Sequence, residues 1–428
     1  MDTDKNLAKP DTNKKSRFPG GRFGLSVVGF AAVNVAIIAA VTSSHWAFPG
    51  GSIEQDVLSH NLKQSPSYGT WTWWAARGYF QDAKAPDIAM MGSSLVNSAC
   101  WAADAVSTKN DVDCAVHHRV FTLEQLLKDR LGGKAPTVVN VSVQGAGACD
   151  FYMMTRGLME GTRKPKLLIV GIAPRDFVDN KMHNLGDTEP FMFYQRYVNF
   201  DPEVSRAYSN PFNRSMGQLE WGLGRLPLRR FHSAVASHLT DDSTVDKTRK
   251  EAGDQLRSAL STRSLKVYPG DIVVSHEMAE GCFDNSAEYV KRFQNPHPKQ
   301  FKTQLFFFEE MLRRMKDQNV KVLVVDMPTL EKHRAMLPPT FWADYKQKIG
   351  DICKRQTATH FYLADSSEFS TDDFVDLVHV NWRGGGKLLA KIADEIADVP
   401  QLASSINAGA KPGDGHQMLS SKKETVAN

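Results

Sequence analysis

Five short apolar runs punctuate the chain, separated by longer stretches of helical pattern. They are APDIAMMG (85–92), PTVVNVSV (136–143), KLLIVGIAP (166–174), KVLVVDMP (321–328) and the less apolar HFYLADSS (360–367). Continuous runs of four to eight apolar residues, several rich in β-branched side chains and bounded by Pro or Gly, predict strands buried on both faces. A half-exposed antiparallel sheet would show alternation instead. The fourth run follows an amphipathic stretch, Thr303 to Gln318. This alternation predicts an α/β fold with an open, doubly wound parallel sheet.

The spacing between the runs is uneven. About 145 residues separate Pro174 from Lys321, far more than one crossover requires. Residues 181–300 are therefore expected to form an inserted lid or substrate subdomain. Part of it is aromatic and basic (FMFYQRYVNF, 191–200; RLPLRR, 225–230), and part is strongly hydrophilic (241–255). The tail after about residue 401 lacks periodicity and is expected to be disordered.

One further apolar stretch is of another kind. Gly24 to Ser43 carries no charge, and about 20 such residues suffice to cross a bilayer as a helix. Lys5, Lys9, Lys14, Lys15, Arg17 and Arg22 precede it, and no Lys or Arg follows until Lys63. The positive-inside rule then puts residues 1–23 in the cytoplasm as a basic tail and the body beyond residue 44 outside it. A cleaved signal peptide would export the body as well. Residues 44–84 are expected to be a juxtamembrane approach. Their aromatic run YGTWTWW (68–74) could lie on the membrane or pack against the domain.

Composition narrows the function classes. The 428 residues carry a net charge of +4 with both signs mixed along most of the chain, so nothing points to nucleic acid. The five cysteines, Cys100, Cys114, Cys149, Cys282 and Cys353, lack the spacing of a zinc or redox site. No metal or cofactor is expected. Cys100 and Cys114 are the nearest pair in sequence should an exported body be oxidised.

Two constellations carry chemistry. Met91-Gly92-Ser93-Ser94-Leu95 places a serine in the turn that leaves a buried strand, at the carboxyl edge where open α/β sheets bind ligands. A following helix would add N–H donors and partial positive charge for an oxyanion. A serine here can also be no more than an N-cap. The second constellation, Asp376-Leu377-Val378-His379, stands before a terminal amphipathic helix. A serine nucleophile needs a base, and the base needs an acid to hold its tautomer. The spacing lets one loop supply both. Arg383-Gly-Gly-Gly-Lys387 does not meet the phosphate-loop pattern.

With these residues the chain resembles the SGNH (GDSL-like) hydrolase superfamily. Gly92-Ser93-Ser94-Leu95 matches its Gly-Asp-Ser-Leu block with Ser93 in place of the aspartate, and Asp376 and His379 match its Asp-x-x-His block. The resemblance implies a flavodoxin-like, three-layer α/β/α domain built from 85–180 and 301–400. It makes Ser94 the nucleophile, His379 the base and Asp376 its orienting partner. The oxyanion hole would use the Ser94 N–H and Gly145, from Asn140-Val-Ser-Val-Gln-Gly145. The family's third block normally supplies an asparagine; here the run is Gly171-Ile-Ala-Pro-Arg175-Asp176-Phe177, which leaves Arg175 or Asn180 as stand-ins. Arg175 and Asp176 could equally be a structural ion pair. An N-terminal anchor with an exported body is similar to acyl-transfer proteins of bacterial envelope polymers, which work beside a multi-pass membrane acyltransferase. The implied activity is O-acyl transfer or ester hydrolysis on an envelope or exported polysaccharide, in the periplasm. A non-catalytic polysaccharide-binding protein and a lipid esterase are the competing readings.

Overall fold

A computed structural model describes residues 52–58, 67–161, 163–179, 185–208, 214, 266–277, 281–294 and 298–407. The apolar run 24–43, the basic segment 225–230 and Asn180 lie outside the described residues. Among the described residues no helix is long and apolar enough to cross a membrane.

Five strands form one parallel sheet: β1 (Ile88–Met91), β2 (Val138–Asn140), β3 (Leu167–Ile172), β4 (Lys321–Asp326) and β5 (Thr359–Tyr362). Each lies within or against one of the five apolar runs. The order across the sheet is β2-β1-β3-β4-β5, every neighbour parallel. Ile88 pairs with both Val138 and Leu167, and Leu167 with Lys321. In this order the chain leaves β1 in one direction, to β2, and returns past it to β3. The topological switch point therefore lies between β1 and β3, where such sheets open a crevice at their carboxyl ends. β1 and β3 are buried along their whole length, as strands covered on both faces must be.

The connecting helices sort into two sets. Ser94–Thr108, Phe121–Leu131 and Trp382–Asp398 pack on one another, and Pro298–Asp317 packs on both Ala148–Leu158 and Pro339–Arg355. Helix 382–398 approaches helix 94–108 closely at Gly385, where an added Cβ would sit 2.6 Å from the Ala99 carbonyl oxygen. Only a residue without a side chain allows that backbone approach. At the carboxyl end of β4, Tyr345 donates to Asp326 Oδ1 at 2.6 Å and His360 Nε2 meets Asp326 Oδ2 at 2.5 Å. These bonds tie β4 to β5 and to the helix between them.

Of three regions, the aromatic run takes the packing alternative and the other two differ from the expectations. The aromatic run is core: Trp73 and Trp74 are buried in helix 71–80, which packs beside β2 and is N-capped by Thr70. Each large apolar side chain buried this way contributes roughly 1.5–3 kcal/mol, so the globular unit begins before residue 85. The described parts of 181–300 also join that core, through Leu185, Phe191, Phe193, Tyr194, Tyr289 and Phe293. A two-residue antiparallel ribbon, Val112–Asp113 with Val273–Val274, ties the segment to the end of helix 94–108. The expectation of disorder from 401 needs correction. Pro400–Asn407 is a helix, because Leu402 and Ile406, one turn apart, bury against the core. The cysteines are free, Cys100 and Cys114 each buried in a different apolar cluster.

Candidate active site

Ser94 opens the first turn of helix 94–108, directly after the bend that leaves β1. Its N–H is among the first four of a helix, which have no intrahelical acceptor, and that turn carries no acidic side chain. The site therefore keeps the full positive end of the helix. Ser93 is the N-cap residue, but its side chain makes no cap bond. Ser93 is 1% exposed whereas Ser94 is half-buried, so the two adjacent hydroxyls face different surroundings.

The loop after β5 returns to this serine. Phe374 and Val380 bridge, and the Val375 N–H donates to the His379 carbonyl at 2.8 Å, closing a tight hairpin. Within it Asp376 Oδ1 accepts from the Val378 and His379 N–H groups at 2.9 and 2.7 Å. Oδ2 lies 2.7 Å from His379 Nδ1, and His379 Nε2 lies 2.8 Å from Ser94 Oγ. An ionised aspartate only accepts, so Nδ1 carries the proton and Nε2 is left to accept from the serine. Burial pushes the Asp376 carboxyl up, but the hydrogen bonds and charge of His379 and the two backbone donors outweigh it and hold it below its ordinary value. Asn381 fixes the loop's far end, accepting from the Arg383 and Gly384 N–H groups while its amide donates to the Asp372 carbonyl.

Beyond Ser94 lies the turn after β2. Gly145 has φ +78°, a conformation open to glycine at little cost. Its carbonyl accepts from Arg175 Nη2 at 2.9 Å. A chain of amides steers the turn: Asn140 Nδ2 donates to Asn97 Oδ1, Asn97 Nδ2 to the Ser142 carbonyl, and the Ser142 N–H to Asn140 Oδ1. Asn97 stands three residues after Ser94, on the same helix face.

Arg175, almost fully buried, also pairs at 3.4 Å with Asp176 Oδ1 and with Asp179 Oδ2. Burial pushes Asp176 up to about 7 despite Arg175 and the Ala173 N–H. The Ser93 hydroxyl is close enough to Asp176 to help hold that carboxyl down, yet meets no partner in ordinary hydrogen-bond geometry.

The far end of the long insertion braces the same loop. The Phe283 N–H donates to the Val375 carbonyl at 2.9 Å, and the Leu377 N–H to Asn285 Oδ1 at 3.3 Å. Helix 286–293 is held by Arg292 on Asp179 at 2.5 Å and by Tyr289 edge-on to buried His333 at 4.8 Å.

The structure thus brings together Ser94, His379 and Asp376, and separately joins Gly145 to Arg175. Asn97 and Asn381 had a readable signal, each one turn or less from a chemistry-bearing residue. Asn285, 91 residues before Asp376 in the chain (376 − 285), had none. Among the described residues no cluster of His, Cys, Asp and Glu could hold a metal. No protein-family profile matches the chain, and no curated protein matches it at a significant level.

Proposed function

We propose that this protein is a serine-dependent O-acyltransferase or esterase acting on a hydroxyl of an exported or cell-envelope polysaccharide. The observation that carries the reading is the continuous relay Ser94 Oγ–His379–Asp376, with spacings of 2.8 and 2.7 Å. In this reading Ser94 Oγ attacks an ester carbonyl while His379 Nε2 takes its proton. Asp376 holds Nδ1–H in place and stabilises the imidazolium. The oxyanion is met by the N–H groups of Ser94 and Gly145 at the positive end of helix 94–108. His379 then returns the proton to the leaving group, giving an acyl-enzyme. The next alcohol or water is deprotonated by His379, attacks that ester and releases Ser94.

The strand order supports a flavodoxin-like, three-layer SGNH arrangement, with Ser94 and Arg175 on either side of the switch point. Arg175, whose Nη2 donates to the Gly145 carbonyl at 2.9 Å, is one stand-in for the missing third-block asparagine; the other, Asn180, lies outside the described residues. The basic flank and uncharged run 24–43 support one membrane crossing with a periplasmic body, beside a multi-pass acyltransferase as acyl donor. The lipid-esterase reading loses its main support, since Trp73 and Trp74 are buried.

Full-length protein treated with a fluorophosphonate probe is expected to be labelled at Ser94 and to turn over a small acetyl ester. A folded wild type that does neither would favour a non-catalytic polysaccharide-binding protein. A reporter active only outside the cytoplasm, fused after residue 400, is expected to be active; silence from a well-expressed fusion would remove the export claim.

A further inference from the structure

Two large apolar side chains stand out beside the Asp376–His379 loop. Phe283 is 59% exposed and Val375 41%. Their backbones are joined by the Phe283 N–H to Val375 carbonyl bond at 2.9 Å, and the next residue after Val375 is Asp376. The ledge they form is fixed from both sides. Asn285 accepts from Leu377, and Tyr289 and Phe293 of the following helix pack edge-on against buried His333 at 4.8 and 5.4 Å. An exposed aromatic residue whose backbone is pinned beside the Asp376–His379 loop offers a ligand-contacting surface.

The chemistry of the relay says which part of a substrate lies there. His379 receives the proton of the incoming alcohol and returns one to the departing alcohol, so the alcohol side of the ester approaches on the histidine side. Gly145 and Arg175 occupy the oxyanion side. The ledge, continuous with the histidine loop, therefore flanks the alcohol. Its rim is polar, since Asp284 follows Phe283 and pairs with Lys332 at 2.5 Å, both side chains exposed. An apolar face ringed by hydrogen-bonding groups matches a pyranose, which offers a C–H face and a rim of hydroxyls. An alkyl alcohol would instead cover Asp284 and Lys332 with carbon and strip them of water.

We infer that Phe283 and Val375 form the acceptor subsite, where one pyranose ring of the acceptor stacks while its hydroxyl reaches His379. The inference rests on the serine-relay reading for the assignment of sides. Its test is direct binding by the full-length protein in detergent micelles, with methyl gluco-, galacto- and mannopyranosides as probes. At least one pyranoside is expected to show saturation transfer to its ring C–H protons, with Kd weakened five-fold or more by Phe283→Ala and restored by Phe283→Tyr. Phe283 is a surface residue, so its replacement leaves the fold intact. Equal affinity in Phe283→Ala, binding of hexan-1-ol in preference to every pyranoside, or no pyranoside binding by the wild type would each overturn the subsite. Fluorophosphonate labelling of Ser94 in the same samples separates the two claims. A labelled wild type whose sugar binding ignores Phe283 removes the subsite alone. An unlabelled wild type whose sugar binding depends on Phe283 removes the serine relay alone.

Discussion

Two aspartates at the carboxyl edge of one sheet stand behind two adjacent serines, and their carboxyls are displaced in opposite directions. Asp376 reaches Ser94 through His379, accepts three hydrogen bonds and lies below its ordinary value. Asp176, next to Ser93 without an intervening base, is fully buried and pushed up to about 7 although Arg175 pairs with it. The difference comes from what each carboxylate accepts. Two backbone N–H groups and an imidazole outweigh the desolvation of Asp376. One backbone N–H and a guanidinium at 3.4 Å, shared with Asp179 and Gly145, do not outweigh that of Asp176. In the proposed reading the acid held low supports an imidazolium, while the acid pushed up belongs to the scaffold that shapes the neighbouring turn. Environment, not residue type, divides the roles.

The comparison is broken most severely at the serines. Ser94→Ala is expected to lower ester turnover by about 10⁴–10⁶-fold and to abolish fluorophosphonate labelling, while Ser93→Ala keeps most of both. Labelling that survives in Ser94→Ala and vanishes in Ser93→Ala would assign the nucleophile to the Asp176 side instead.

Asp376→Asn tests the ionised member. An amide in place of the acceptor-only carboxylate removes the preference for Nδ1–H, and kcat should fall about 10⁴-fold with the protein still folded. A loss under ten-fold would mean that the 2.7 Å contact orients His379 without supporting its charge.

Arg175→Lys addresses the other side. It keeps a cation near Asp176 and Asp179 but cannot reproduce the fork that also reaches the Gly145 carbonyl. With the turn loosened, kcat should drop about ten- to hundred-fold, less than the 10²–10³ typical of deleting an oxyanion donor outright, with KM for a small ester little changed. Unchanged kcat would detach the Gly145 turn from catalysis.

Asp176→Asn should have the smallest effect on rate and a clear one on the pH dependence of stability. An unfolded aspartate releases its proton near 3.8 and the folded one near 7. The folded state therefore holds the extra proton throughout that window, and its stability falls as pH rises through it. The variant should lose up to one proton's worth of that slope in a series of denaturant titrations between pH 4 and 7. Asp376 behaves oppositely: its contribution is present above the ordinary carboxylate range and is lost as pH falls through its lowered folded value. An unaltered slope in Asp176→Asn would remove Asp176 as its source.

The parallel sheet was legible from the chain because strands buried on both faces must be apolar throughout, and each of the five runs lies at a strand. The Asp-x-x-His loop was legible for a similar reason. Three residues of spacing let Asp376 bond to its own neighbours, so local sequence determines most of that geometry. What the chain alone left open depended on contacts between distant segments. Arg175 and Asn180 were both open as stand-ins. Asn180 lies outside the described residues; the tertiary structure sets Arg175 on the Gly145 carbonyl through two loops that meet because β2 and β3 both flank β1. The bracing of the dyad by Asn285, the burial of the aromatic run, and the separation of Ser93 from Ser94 have the same origin. A hydroxyl becomes a nucleophile, a scaffold group or a cap according to what other strands and loops bring within about 3 Å of it, and that is decided by packing, not by the order of residues.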